Sequence, residues 1–180
     1  MILNIIIIIL LVGGFFTGYR NGFIRQLVIT LGYFLSFFVA YHYFADLAPH
    51  LSFIPYPNVD KTDSVYKLLE LLHTEEAYYN SIAFILIFLA AIIIVHMISS
   101  LIGNRTKIPV ISQLNGLIGG ILGVVATYLF IFVILYLTAI FPVEWAENLL
   151  KGSSVAAWIL ENTPILSERF YDWMTGVLPK

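Results

Sequence analysis

The stretch that constrains this chain most is an uncharged run from Ile108 to Val143, the longest in the sequence. Its opening, Pro109-Val110-Ile111-Ser112-Gln113-Leu114-Asn115-Gly116-Leu117-Ile118-Gly119-Gly120-Ile121-Leu122-Gly123, is dense in glycine. Helical spacing puts Gly116, Gly120, Gly123 and Thr127 on one face, and Gly116/Gly120 and Gly119/Gly123 form overlapping GxxxG pairs. In water each of these glycines would cost a helix about 1 kcal/mol against alanine. In a bilayer small residues on a shared face let a second helix approach closely, and dispersion then drives association. After Thr127 the run becomes bulky, with Tyr128, Leu129, Phe130, Ile131 and Phe132. The segment reads as a membrane helix that is narrow at its start, wide at its end and built to pack.

The rest of the chain has the same character. It is 60% hydrophobic and only 11% charged, against about 25% charged in soluble domains. Uncharged runs also cover 1–19, 26–45 and 77–104. About 20 helical residues cross the hydrocarbon core, so four spanning helices are expected, over about 2–19, 26–45, 77–104 and 112–141. The expected fold is an all-α integral membrane protein: a four-helix transmembrane domain over 1–143 and an amphipathic interfacial tail over 144–180. The first run lacks a positive n-region and a small-x-small cleavage site, so it reads as an anchor rather than a cleaved signal. With no cysteine, disulfides and thiolate metal sites are excluded, and nine scattered Lys and Arg form no basic stripe for nucleic acid.

Orientation follows from the connections. Arg20 and Arg25 sit in the first link without an acid, and Arg105 and Lys107 do the same in the third. The second, 46–76, carries six acids against Lys61 and Lys67. Short basic loops stay cytoplasmic, which places the acidic loop and both termini outside in the plasma membrane. Gly14, Gly18 and Gly22 continue a four-residue spacing into the first turn, and Gly32, Ser36 and Ala40 form a similar line on the second helix. These lines imply that the four helices converge in the inner leaflet and splay outward. In the outer loop, Thr62 or Asp63 is positioned to cap a short helix running to about His73. The tail divides at Gly152-Ser153-Ser154 into helices over 143–151 and 155–161, and Thr163-Pro164 starts a third. All three tryptophans lie in this tail, as expected of interfacial helices on the outer face.

Chemistry is sparse. No Asp, Glu, Lys or Arg lies well inside a spanning run, and no HExxH, GxSxG, P-loop or GxGxxG occurs. His42 and Asp46 are spaced like a ligand pair, but two ligands make no metal site. His96 is read as hydrogen-bonding to a neighbouring helix. No catalytic residue, cofactor or metal is assigned. The candidate functional or packing positions are Arg20, Gly22, Arg25, Gln26, Asn115, Gly116, Gly119, Gly120 and Gly123. The arginines read as topology determinants that also meet lipid phosphate, or as a cytoplasmic docking knob or pore mouth. Asn115 is placed to hydrogen-bond across helices.

Tyr19-Arg20-Asn21-Gly22-Phe23-Ile24-Arg25-Gln26-Leu27 resembles the glycine- and arginine-bearing turn of the colicin V production (CvpA) family, Gram-positive type. The run from Gln113 to Gly123 is similar to the start of that family's last membrane helix. The sequence departs from the family pattern at Asn4 for an acid, Gln26 for a Glu and Gly116 for an Arg. The resemblance implies a multi-pass membrane protein associated with colicin V production and toxin biosynthesis. Its expected role is non-enzymatic, as an envelope scaffold or maintenance factor. The alternative is an oligomeric channel or small-solute transport protein. The expected partners are the lipid bilayer and further membrane proteins, either copies of the same chain or others.

Overall fold

The computed structural model describes residues 2–56, 75–101, 112–140 and 144–163. Among them there is helix and no strand. The helices are α1 (Ile2–Asn21), α2 (Phe23–Leu47), α3 (Glu75–Leu101), α4 (Ser112–Ile140), α5 (Glu144–Lys151) and α6 (Ser154–Glu161), with a 3-10 turn at Ala48–Leu51 after α2. Three stretches are long and apolar enough to cross a membrane: Ile2–Leu51, Glu75–Leu101 and Gln113–Ala139. The first is broken at Gly22, whose φ of 75° lies in the left-handed region open to glycine. Helices α1 to α4 fall on the uncharged runs 2–19, 26–45, 77–104 and 112–141, of which residues 102–104 and 141 lie outside the described residues. The expected outer-loop helix and the third tail helix lie outside the described residues.

Direction follows from the neighbours. Gly14 lies beside Thr127, Gly18 beside Gly119 and Gly22 beside Asn115, so α1 runs antiparallel to α4. Thr30 approaches the Leu122 carbonyl, so α2 runs parallel to α4 and the chain reverses at Gly22. Tyr33 meets His96 while Phe37 meets Phe84, which makes α3 antiparallel to α2. The main interfaces are α1 on α4, α2 on α3 and α2 on α4, whereas α1 and α2 touch little despite being joined by one residue.

Two kinds of packing hold the bundle. At the Gly22 end, α1 and α4 meet almost backbone to backbone. A β-carbon at Gly18 would overlap the Gly119 carbonyl oxygen, and one at Gly123 would overlap the Gly14 carbonyl oxygen. At the far end the contact is between large side chains. Phe84, Phe88 and Phe132 are wholly buried, with Phe37, Phe44, Tyr136 and Leu137 around them. Phe37 packs edge-on against Phe84 with centroids 5.4 Å apart, and Phe88 stacks near Phe130 at 6.4 Å. Thus the expected convergence at the Gly22 end holds for α1 and α4 but not for the whole bundle. The aromatic core fills the opposite half, and α1 and α2 leave an opening where convergence was expected.

The tail joins the bundle instead of only crossing its end. Ser153 caps α6 by accepting from the Ala156 N–H at 3.0 Å, at the break read from Gly152-Ser153-Ser154. Asn4 of α1 meets the same cap: its Oδ1 accepts from the Ser153 hydroxyl at 2.5 Å and the Val155 N–H at 3.3 Å. At the other end of α6, Thr163 and the Tyr128 hydroxyl are 2.8 Å apart, near the middle of α4. Ala156, Ile159 and Leu160 between these points are buried, so α6 descends along α1 and α4. Trp145 and Trp158 face outward.

Glycine at position 18 is therefore required by the opposing backbone, whereas a β-carbon at Gly13 meets nothing within 4 Å. Gly18→Ala is expected to lower stability by about 1–3 kcal/mol through overpacking. Gly13→Ala is expected to be neutral or stabilising by up to about 1 kcal/mol. Reversible unfolding of both variants in detergent checks the contrast.

Candidate functional site

The nine sequence-derived positions fall together around the reversal between α1 and α2 and the first turns of α4. Gly22 provides the reversal. Its carbonyl still accepts from the Gln26 N–H at 3.0 Å, and its N–H donates to the Gly18 carbonyl at 3.0 Å, so one residue separates two nearly continuous helices. Asn115 closes the turn from α4: its Oδ1 accepts the otherwise unsatisfied Phe23 N–H at 3.0 Å, capping α2 from another helix. A β-carbon at Gly22 would come within 2.7 Å of the Asn115 amide nitrogen, so glycine is needed there for space as well as for φ. Gln26 is buried, and its Oε1 accepts from the Asn21 amide at 2.9 Å across the turn. The Thr30 hydroxyl lies 2.8 Å from the Gln26 carbonyl and 3.1 Å from that of Leu122, binding α2 to α4.

The glycines of α4 divide their work. Gly119 and Gly123 face the α1 backbone at Gly14, Gly18 and Gly22. Gly116 and Gly120 instead receive the rings of Tyr19 and Phe15, which stack with centroids 6.2 Å apart. Both GxxxG pairs are thus occupied by α1 of the same chain. That leaves neither of them open as a seam between copies.

Beside this seam lies a cleft of about 500 Å³, walled by α1 and α2, floored by Gly123, Ala126 and Thr127 of α4, with His96 of α3 at its edge. A smaller chamber of about 170 Å³, lined by Thr17, Arg20, Asn21 and Arg25, adjoins it and shares three of these residues with it. Arg20 is exposed and Arg25 half-buried. Deeper in, the Tyr33 hydroxyl and His96 Nε2 are 3.0 Å apart, which gives His96 the interhelical hydrogen bond read from the sequence. A second cleft of about 350 Å³ lies at the opposite end, lined by Phe44, Ala48, Glu76, Tyr79 and Asn80 among others. Near it, Tyr56 packs edge-on against Tyr78 at 5.3 Å, and burial, followed by the Glu75 carboxylate, raises its phenol above the ordinary range.

Sequence reasoning did not find the Asn4–Ser153 contact, the Phe15 and Tyr19 lids, or the cleft. Asn4 and Ser153 each carried a signal, one as a polar residue in an apolar run and the other as a helix cap. Nothing in the linear order joins them. Among the described residues no three His, Asp or Glu side chains, His42 and Asp46 included, are grouped so as to hold a metal ion.

Three comparisons bear on this arrangement. The profile of a family described as colicin V production protein matches residues 3–164. An uncharacterized transmembrane protein of Bacillus subtilis (strain 168), YshB, is 38% identical over 165 residues, covering 92% of this chain and 93% of the relative. No solved structure matches.

If Asn115 caps α2 across the helix interface, Asn115→Ala should lower stability by about 1 kcal/mol, the usual effect of losing a cap. Asn115→Asp, which keeps the acceptor, should retain more of it than Asn115→Ala. Unfolding free energies of the two variants in the same detergent decide this.

Proposed function

The chain belongs to the colicin V production protein family, and from that premise we propose that it is a non-enzymatic, four-span scaffold that maintains the bacterial envelope. The observation that carries this reading is the aromatic core. Phe84, Phe88 and Phe132, wholly buried, stand between the cleft at the Gly22 end and the cleft beside Glu76, so the described bundle supports a solid body rather than a conduit. The occupied glycine faces argue the same way, because an oligomeric pore built on that seam would have to break the α1–α4 contact first. In this reading "colicin V production" names a requirement of the producing cell, not a reaction of this protein.

In the proposed topology α1, α2, α3 and α4 each cross the plasma membrane. The Arg20–Arg25 turn lies on the cytoplasmic side and both termini lie outside, as the basic short loops favour. The tail helices α5 and α6 present Trp145 and Trp158 at the outer leaflet, where indole rings partition to the headgroup level. The scaffold's contacts with other envelope proteins are assigned to this outer face.

The alternative, an oligomeric channel or small-solute conduit, draws on the polar lining of the larger cleft. Flux separates the two. Purified protein in liposomes is expected to pass no ions or small solutes. In cells lacking the native gene, a version truncated after residue 143 is expected to leave detergent sensitivity uncorrected although the full chain corrects it. Steady flux through the wild type, or full correction by the truncated chain, overturns the scaffold reading. Because the chain has no cysteine, a single Lys107→Cys reports topology directly. It is expected to be protected from a membrane-impermeant maleimide in intact cells, and labelling from outside would reverse the orientation.

A further inference from the structure

We propose that the cleft between α1 and α2 is a binding site for one anionic phospholipid of the leaflet that contains the Arg20–Arg25 turn. This goes beyond the scaffold role and does not depend on it. Three features of the cleft point to this occupant. The first is its polarity gradient. Arg20, Arg25, Asn21 and Thr17 line the small chamber at the turn, while Ile9, Leu10 and Ile29 line the deep part of the adjoining slot. A site with guanidinium and amide donors at one end and aliphatic walls at the other matches a phosphate joined to an acyl chain.

The second is its length. Asn21 and Ile9 mark its two ends on α1, about 18 Å apart at 1.5 Å per helical residue. One leaflet of hydrocarbon is about 15 Å deep, so the slot runs the depth of a single acyl chain with the headgroup at the interface. The third is charge. Among the described residues neither the slot nor the chamber is lined by a carboxylate, and Asp46, Glu75 and Glu76 lie at the other end of the bundle. The headgroup end is therefore cationic, which selects an acidic lipid over a zwitterionic one.

The opening exists because α1 is held by α4 and not by α2. Glycine at position 13 keeps it clear: the residue is exposed on the slot's wall and has no atom within 4 Å of where a β-carbon would stand. That position permits a test by filling the slot without disturbing the packed seam. The full-length protein, purified in detergent and stripped of lipid, is titrated with phosphatidylglycerol, phosphatidylcholine or soluble glycerol 1-phosphate, and bound lipid is counted by native mass spectrometry.

One phosphatidylglycerol per chain is expected, at least about fivefold tighter than phosphatidylcholine, with glycerol 1-phosphate unable to displace it. Arg25→Gln should weaken phosphatidylglycerol binding about fivefold and reduce the preference over phosphatidylcholine. Gly13→Leu should abolish the bound lipid with a melting temperature no lower than that of the wild type. Should Gly13→Leu fail to fold, Thr17→Leu at the exposed wall blocks the same slot. Equal retention of the two lipids, or undiminished phosphatidylglycerol binding in a folded slot-filling variant, overturns the proposal. Displacement by glycerol 1-phosphate also overturns it, since the site would then be one for a free phosphate ester.

Discussion

The close approach of α1 to α4 is the constraint on which the rest of the bundle depends. In hydrocarbon the hydrophobic effect gives helices no reason to associate, so contact must come from dispersion and interhelical hydrogen bonds. Gly14 and Gly18 on one side and Gly119 and Gly123 on the other let the two backbones close to carbonyl oxygens against α-carbons, with the Thr127 side chain packed on Gly14. This geometry fixes the level of the Gly22 turn against Asn115, because the same helices carry both. Once the turn is fixed, α2 leaves in the direction that brings Thr30 to Leu122 and Gly32 to Val95, and α3 is positioned in turn. The aromatic core at the other end then packs on a frame already set by glycine.

Much of this was legible in the sequence. Uncharged runs gave helix positions because the length of a spanning helix is set by the bilayer, and charged or polar loops mark the ends. Glycines at spacings of three and four announced a packed face. What they could not say is which helix the face meets, since every membrane helix here carries small residues at similar intervals. The partner emerged only from three dimensions, where Phe15 and Tyr19 cover Gly116 and Gly120, and α1 backbone covers Gly119 and Gly123. The expected general convergence at the Gly22 end failed for a related reason. Small residues permit an approach but do not compel every pair of helices to make it, and α1 cannot lie flush on both α2 and α4.

The tail illustrates a different limit. Its caps and breaks were readable because Ser153 and Gly152 act locally on the backbone. Its docking was not, because the partner Asn4 lies at the opposite end of the chain and its polarity alone does not identify an acceptor or donor. A short apolar helix reads equally as an interfacial segment or as a piece of bundle wall. The hydroxyl contact between Tyr128 and Thr163 places α6 against the wall.

That arrangement has a consequence for the order in which the molecule is completed. α1 is synthesised well before α6, so the Asn4 amide is made long before Ser153 and Ser154. Until α6 docks, the amide must take its hydrogen bonds from water or headgroups, and the groove that later holds Ala156 and Ile159 stands open to lipid. The final helical segment described is thus a closing piece for the first, and the bundle reaches its finished state only after translation has passed the last span.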